Sequence, residues 1–171
     1  RWHARWNVQR GLSLDINYLD ILRQSASNVL SQRNYRVVGT TFNPTFNWQL
    51  GSQLRLTAAY TQKNKQDELD ENSSSRATLN EWSIGARFSK AVSTNITANL
   101  KYIGIDFEGV ETSPVGYELL EALRPGSNMT WNINWQQKLG NGLQLLLRYD
   151  GRKSGDSEAI HLGRVQVTAL F

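Results

Sequence analysis

The sequence predicts an all-β chain, an antiparallel up-and-down transmembrane β-barrel, and three observations predict it. Apolar and polar residues alternate with a period of two through segment after segment. Successive strand side chains point to opposite faces, so each segment is a strand with one oily and one wet face. The connections alternate in length, tight turns taking turns with longer polar loops. The chain also closes on a strand, residues 159–171, in which Val165, Val167, Ala169 and Phe171 alternate with Arg164, Gln166, Thr168 and Leu170. Termini of soluble domains usually fray, whereas a strand that must close a membrane barrel has reason to end on an aromatic residue.

Composition narrows the classes. The 171 residues suffice for one domain, 1–171. Hydrophobic residues make up 39% and the mean hydropathy is −0.50, and no apolar run approaches the roughly 18 residues a spanning helix needs. A helical membrane protein is excluded. A barrel escapes such scans because every second residue faces a polar interior. The absence of cysteine fits passage through an oxidising compartment. The formal charge of +4 is spread over alternating segments rather than massed in a patch, which argues against nucleic acid as a partner.

Taken in order, Trp2, Ala4, Trp6 and Val8 oppose His3, Arg5, Asn7 and Gln9 up to an Arg10-Gly11 turn. Leu12, Leu14, Ile16 and Tyr18 follow in a strand running to about Arg23, with a polar loop from Gln24 to Asn34. A third strand, Tyr35 to Gln49, sets Phe42, Pro44, Phe46 and Trp48 against Thr and Asn; Pro44 lacks a ladder donor and predicts a local kink. After Gly51-Ser52, Leu54, Leu56, Ala58 and Tyr60 form a fourth, and a long polar loop spans Lys63 to Arg76. Its acidic run, Asp67 to Glu71, lacks the glycine and spacing of a calcium loop and reads as solvated charge, with weak divalent-ion binding as the alternative.

Trp82, Ile84, Ala86 and Phe88 mark the fifth strand, and Ile96, Ala98, Leu100 and Tyr102 the sixth. Ile103, Ile105 and Phe107 then change phase, which predicts a bulge near Ile103-Gly104. In the loop Gly109 to Gly126, Ser113 is placed to cap a short helix with Pro114 first, continuing over Tyr117 to Leu123 until Pro125-Gly126 stops it. Met129, Trp131, Ile133 and Trp135 make the seventh strand, Asn141-Gly142 a hairpin turn, and Leu143, Leu145, Leu147 and Tyr149 the eighth. A loop over Gly151 to Glu158 leads to the last strand. The total is about nine. Single-chain bacterial barrels have an even number, so the segment beginning at Arg1 is expected to be the C-terminal sector of a larger barrel whose N-terminal strands precede it.

The short turns near Gly11, Gly51, Thr94 and Gly142 fall at one end, and the longer loops near Ser27, Ser73, Ser113 and Gly155 at the other. Transmembrane barrels have short periplasmic turns and long extracellular loops. The face opposite the aromatics carries Arg55, Arg87, Lys101, Lys138, Arg148 and Arg164. A charge facing lipid at mid-depth costs about 2 to 4 kcal/mol, so these residues are expected to face the lumen. Tyr18, Tyr60, Tyr102 and Tyr149 fall at one end of the outward rows and Trp6, Trp48 and Trp135 near the other, as interfacial girdles require. A soluble sandwich predicts the same alternation but handles the large aromatics and the loop asymmetry poorly.

The terminal phenylalanine behind alternating apolar residues is similar to the C-terminal signal of bacterial outer-membrane barrel proteins. Tyr149 to Lys153, His161 to Arg164 and Tyr117 to Gly126 also resemble the C-terminal region of large Bacteroidota outer-membrane proteins. The resemblance implies a Gram-negative outer membrane, contact with bilayer and lipopolysaccharide, and insertion by the barrel-assembly machinery, which would read Val165, Val167, Ala169 and Phe171. It brings no catalytic motif. With two histidines, far apart, and no cysteine, no metal cluster, cofactor site or enzyme is expected. Tyr117, Leu119, Leu120 and Leu123 are more apolar than an outer loop needs. They are expected to pack into the barrel mouth or against a partner subunit, with self-packing on the loop's own rim as the alternative. The leading expectation is a porin-like pore, a transporter or part of a translocation or secretion complex. A structural barrel anchoring partners through its loops is the alternative, and a barrel enzyme comes third.

Overall fold

The computed structural model describes residues 1–26, 34–69, 75–91, 93–140 and 142–169. Nine strands form one antiparallel sheet whose spatial order follows chain order. They are β1 Trp2–Gln9, β2 Leu12–Ser25, β3 Tyr35–Leu50, β4 Leu54–Asp67, β5 Arg76–Lys90, β6 Thr94–Glu108, β7 Gly126–Lys138, β8 Leu143–Ser154 and β9 Ile160–Ala169. A short helix, α1 Pro114–Leu119, lies between β6 and β7. The up-and-down meander expected from the alternation is present. The sheet is open: among the described residues β1 and β9 each pair on one side only, so closure into a barrel is not part of this structure. Phe171 and Asn141 lie outside the described residues.

The β1–β2, β3–β4, β5–β6 and β7–β8 connections, all short, leave the strands at one end of the sheet. Gly11 shows why glycine belongs there. Its φ of 81° suits a side chain poorly, and a Cβ would lie 2.7 Å from the carbonyl oxygen of Gln49, whose own N–H donates to Gly11.

Register is the best-kept feature of the sheet. Tyr60, Trp82, Tyr102 and Met129 stand opposite one another across four strands, and Arg55 faces Arg87, which faces Thr97. One row is apolar and the other polar, and the pairing from β3 to β7 preserves that separation, whereas between β1 and β2 the register shifts after Asn7 and sets Gln9 opposite Leu12. A shift of one residue would exchange the faces.

Several local expectations are corrected. No bulge occurs at Ile103-Gly104; Ile103 pairs with Glu81 and Gly104 with Asn80 in unbroken register. The isoleucines therefore stay on the polar face. They do so because something apolar covers them: Ile103, Ile105, Leu79, Ala77 and Val37 pack with Leu119 and Leu120, bent over from the β6–β7 connection. This cluster is the buried hydrophobic core of the described residues. The polar loop expected over Lys63 to Arg76 is strand at both its ends, from Lys63 to Asp67 and at Arg76, since β4 and β5 remain paired as far as Gln66 and Arg76. β8 likewise runs on to Ser154, and the helix ends at Leu119 rather than Leu123. At Pro44 pairing with β4 lapses for Asn43 and Pro44 while the register on either side is kept. The Asn43 side chain spans the gap, donating to the Tyr60 carbonyl at 3.2 Å and to Thr61 Oγ1 at 2.7 Å.

Leu119 is fully buried at the centre of the cluster. Leu119→Ala is expected to destabilise the docked segment by about 2–5 kcal/mol. Limited proteolysis reads this as faster cleavage within residues 109–125; unchanged protection would contradict it.

Candidate functional site

The polar face carries two arrangements. Near the long-loop end, the β6–β7 connection folds back onto it. Ser113 Oγ accepts from Gly116 N–H at 2.9 Å, capping α1, and donates to the Val110 carbonyl at 2.7 Å. Pro114 supplies a first helical turn that needs no donor. Gly116 lets the helix lie on its own approach, because a Cβ would come within 2.3 Å of the Val110 carbonyl.

Beyond the helix, Glu121 and Ala122 adopt φ of 53° and 61°. Left-handed backbone costs roughly 1–2 kcal/mol per non-glycine residue, so the geometry needs a counterweight. The counterweight is ionic: Glu121 meets both Lys63 Nζ and Lys65 Nζ at 2.8 Å. The Lys65 side chain is 2% exposed, and a buried ammonium must be paired. A further ion pair joins Arg23 to Glu118. Burial pushes the Glu121 carboxyl up, but its hydrogen bonds and charge attraction to Lys63 and Lys65 outweigh this and hold it below its ordinary value.

Of the residues expected to pack a mouth or a partner, Leu119 and Leu120 are buried in the cluster and Leu123 packs against it. Tyr117 points away, 66% exposed. The sequence does not announce the Glu121 latch, because polar residues on both faces make Lys63 and Lys65 read as loop. Their phase was the available signal: both continue the alternation of Arg55, Thr57, Ala59 and Thr61.

Toward the turn end lies the second arrangement. Cross-strand pairing joins Gln49, Arg55, Arg87, Thr97, Asn134, Arg148 and Arg164 into one row spanning β3 to β9. Lys101 and Lys138 stand on the same face, paired to Thr130 and Gln144. Thus all six basic residues singled out from the sequence share a face. Their environments differ. Lys101 meets Glu81 at 2.8 Å and Arg148 meets Asp150 at 2.7 Å, while Asp15 is taken by Arg5 at 3.2 Å and by Asn47 at 3.0 Å. Among the described residues no carboxylate reaches Arg55, Arg87 or Arg164. A cleft of about 530 Å³ lies between Arg5, Arg10 and Arg55, and another of about 400 Å³ between Arg55, Arg87 and Lys101.

On the opposite face, Val165, Val167 and Ala169 of the proposed assembly signal are exposed. Near them His161 Nδ1 and the Tyr149 hydroxyl are hydrogen-bonded at 2.7 Å, and the His161 ring lies 5.6 Å from the Trp131 ring. Trp131 lies over Gly151, where any Cβ would strike it.

These features define an all-β, single-sheet meander with chemically opposed faces. No family model, curated protein or solved structure matches the chain.

The folded Glu121 carboxyl titrates below its ordinary 4.5, so its pairing stabilises the docked segment fully above that value and is lost as pH falls through the folded one. Protection of residues 109–125 from hydrogen exchange is expected to hold at neutral pH and to give way only below 4.5. Glu121→Gln should remove this acid step; a step that survives the substitution would contradict the assignment.

Proposed function

We propose that this chain is a wall sector of a bacterial outer-membrane β-barrel that works as a pore, a transporter or part of a translocation or secretion complex. One observation carries the reading. The large apolar side chains of one phase are exposed, Trp6 at 65%, Trp82 at 60%, Ile84 at 62% and Val165 at 65%, and no described element packs over them. In water a contiguous apolar face of this kind would associate or aggregate. A hydrocarbon layer satisfies it at no desolvation cost, and the cationic, amide-rich face then borders an aqueous interior.

The open edges support the same reading. Lipid cannot satisfy the outer N–H and C=O groups of β1 and β9, so in a bilayer each edge needs a strand. Further N-terminal strands of the same protein are the preferred occupants, since nine strands alone leave an odd number; a partner subunit is the other. The exposed alternation of β9 offers the assembly machinery an edge to which a strand can be added.

A second reading, an assembly barrel that holds partner proteins through its long-loop end, is favoured by Tyr117 and by Val110, which is 61% exposed on the same docked segment. The full-length protein in planar bilayers distinguishes the two. Discrete conductance steps are expected from a pore or translocation barrel. Stable insertion without conductance would contradict that reading and favour the anchoring role.

A further inference from the structure

We infer that Arg55 and Arg87 form a binding site for a soluble oxyanion, a phosphoryl or pyrophosphoryl group, on the polar face. The inference rests on the reading that this face borders water.

The two arginines are direct cross-strand partners between β4 and β5. Side chains in such positions start about 4.5–5.5 Å apart, and like charges placed there repel. Other cations of this face meet carboxylates: Arg5 has Asp15, Lys101 has Glu81 and Lys63 has Glu121 of the β6–β7 connection, while Arg164 on β9 and Lys138 on β7 stand without one among the described residues. Among the described residues Arg55 and Arg87 have none. The pair is a place where the fold gathers positive charge and leaves it uncompensated.

The site is also held in shape. Arg55 Nε donates to Gln49 Oε1 at 3.0 Å, and the Gln49 amide is fixed in turn by the carbonyls of Gly51 at 2.9 Å and Leu54 at 3.2 Å. One edge of the guanidinium is thus tied down while its terminal nitrogens remain open. Between Arg87 and its neighbours the cleft of about 400 Å³ is lined by Thr57, Ser83 and Thr97; the Thr57 hydroxyl is taken by Asn47 Oδ1 at 3.1 Å, which leaves Ser83 and Thr97 as the neutral donors. Its floor is a notch at Gly85, where a Cβ would meet Asn99 Oδ1 at 2.9 Å. Two guanidinium forks and neutral donors around a space of this size match an oxyanion group, which guanidinium binds bidentately. Binding would also relieve the repulsion between the two arginines.

The full-length protein, purified in zwitterionic micelles, is titrated with pyrophosphate by calorimetry. Saturable binding is expected, weakened about tenfold in Arg87→Gln and less in Arg87→Lys, which keeps the charge but loses the fork. Lys153→Gln changes net charge equally on the opposite face and should leave binding unchanged. Without pyrophosphate, Arg87→Gln should not lower the melting temperature, because it removes a repulsion; this separates loss of a site from loss of the fold. Absence of binding, equal weakening by Lys153→Gln, or binding only when the micelles carry an anionic phospholipid would overturn the inference. Planar bilayer recordings keep the two readings apart. Pyrophosphate binding by a protein that does not conduct leaves the site standing without the pore, and a conducting protein that pyrophosphate neither binds nor blocks leaves the pore without the site.

Discussion

Everything in this structure depends on one constraint, that strand side chains alternate and that neighbouring strands keep register. Because Trp82 faces Tyr102 and Arg87 faces Thr97, a sheet of nine strands acquires two faces of opposite chemistry with no element between them. A slip of one residue anywhere would place an arginine among tryptophans. Register is therefore fixed by the solvent each face requires as much as by the backbone ladder. The tight turns assist, Gly11 above all, where the closeness of Gln49 permits no side chain.

Where the alternation was clean, the sequence was sufficient. Trp2 to Val8, Phe42 to Trp48 and Met129 to Trp135 read as strands of the observed phase because their apolar residues, Ala4 and Pro44 apart, are large and their polar residues all uncharged or basic. What escaped was tertiary in origin. Ile103 and Ile105 read as a change of phase because nothing local announces that a helix eleven or so residues onward will return to cover them. Lys63 and Lys65 read as loop because polar residues on both faces erase the periodic signal, although the ladder with β5 continues through them. The row of Arg55, Arg87, Arg148 and Arg164 was legible as a shared phase, but its alignment needs the register of six strands, and only pairing shows which arginines lack an acid.

The two arrangements on the polar face answer each other. Near the long-loop end, positive charge is neutralised: Glu121 gathers Lys63 and Lys65 and accepts left-handed backbone to do so. Near the turn end, Arg55 and Arg87 are left without a carboxylate. Strain tolerated at one end to complete an ion pair, and repulsion tolerated at the other with none, suggest that the second is kept for a ligand from solution. On the apolar face Tyr149 and His161 share a hydrogen bond beside the Trp131 ring, and Tyr60 lies against Trp82 while its hydroxyl donates to Asn80 Oδ1.

The central claim is that one face of the sheet meets hydrocarbon and the other meets water. Nitroxide labels placed one at a time along β5 from Trp82 to Arg87, in the full-length protein reconstituted into bilayers, test it most directly through their collisions with oxygen and with a water-soluble nickel complex. The account predicts strict alternation, oxygen dominating at positions 82, 84 and 86 and nickel at 83, 85 and 87. Labels that report water on both faces, or an apolar face shielded from both probes as in a soluble core, would contradict it.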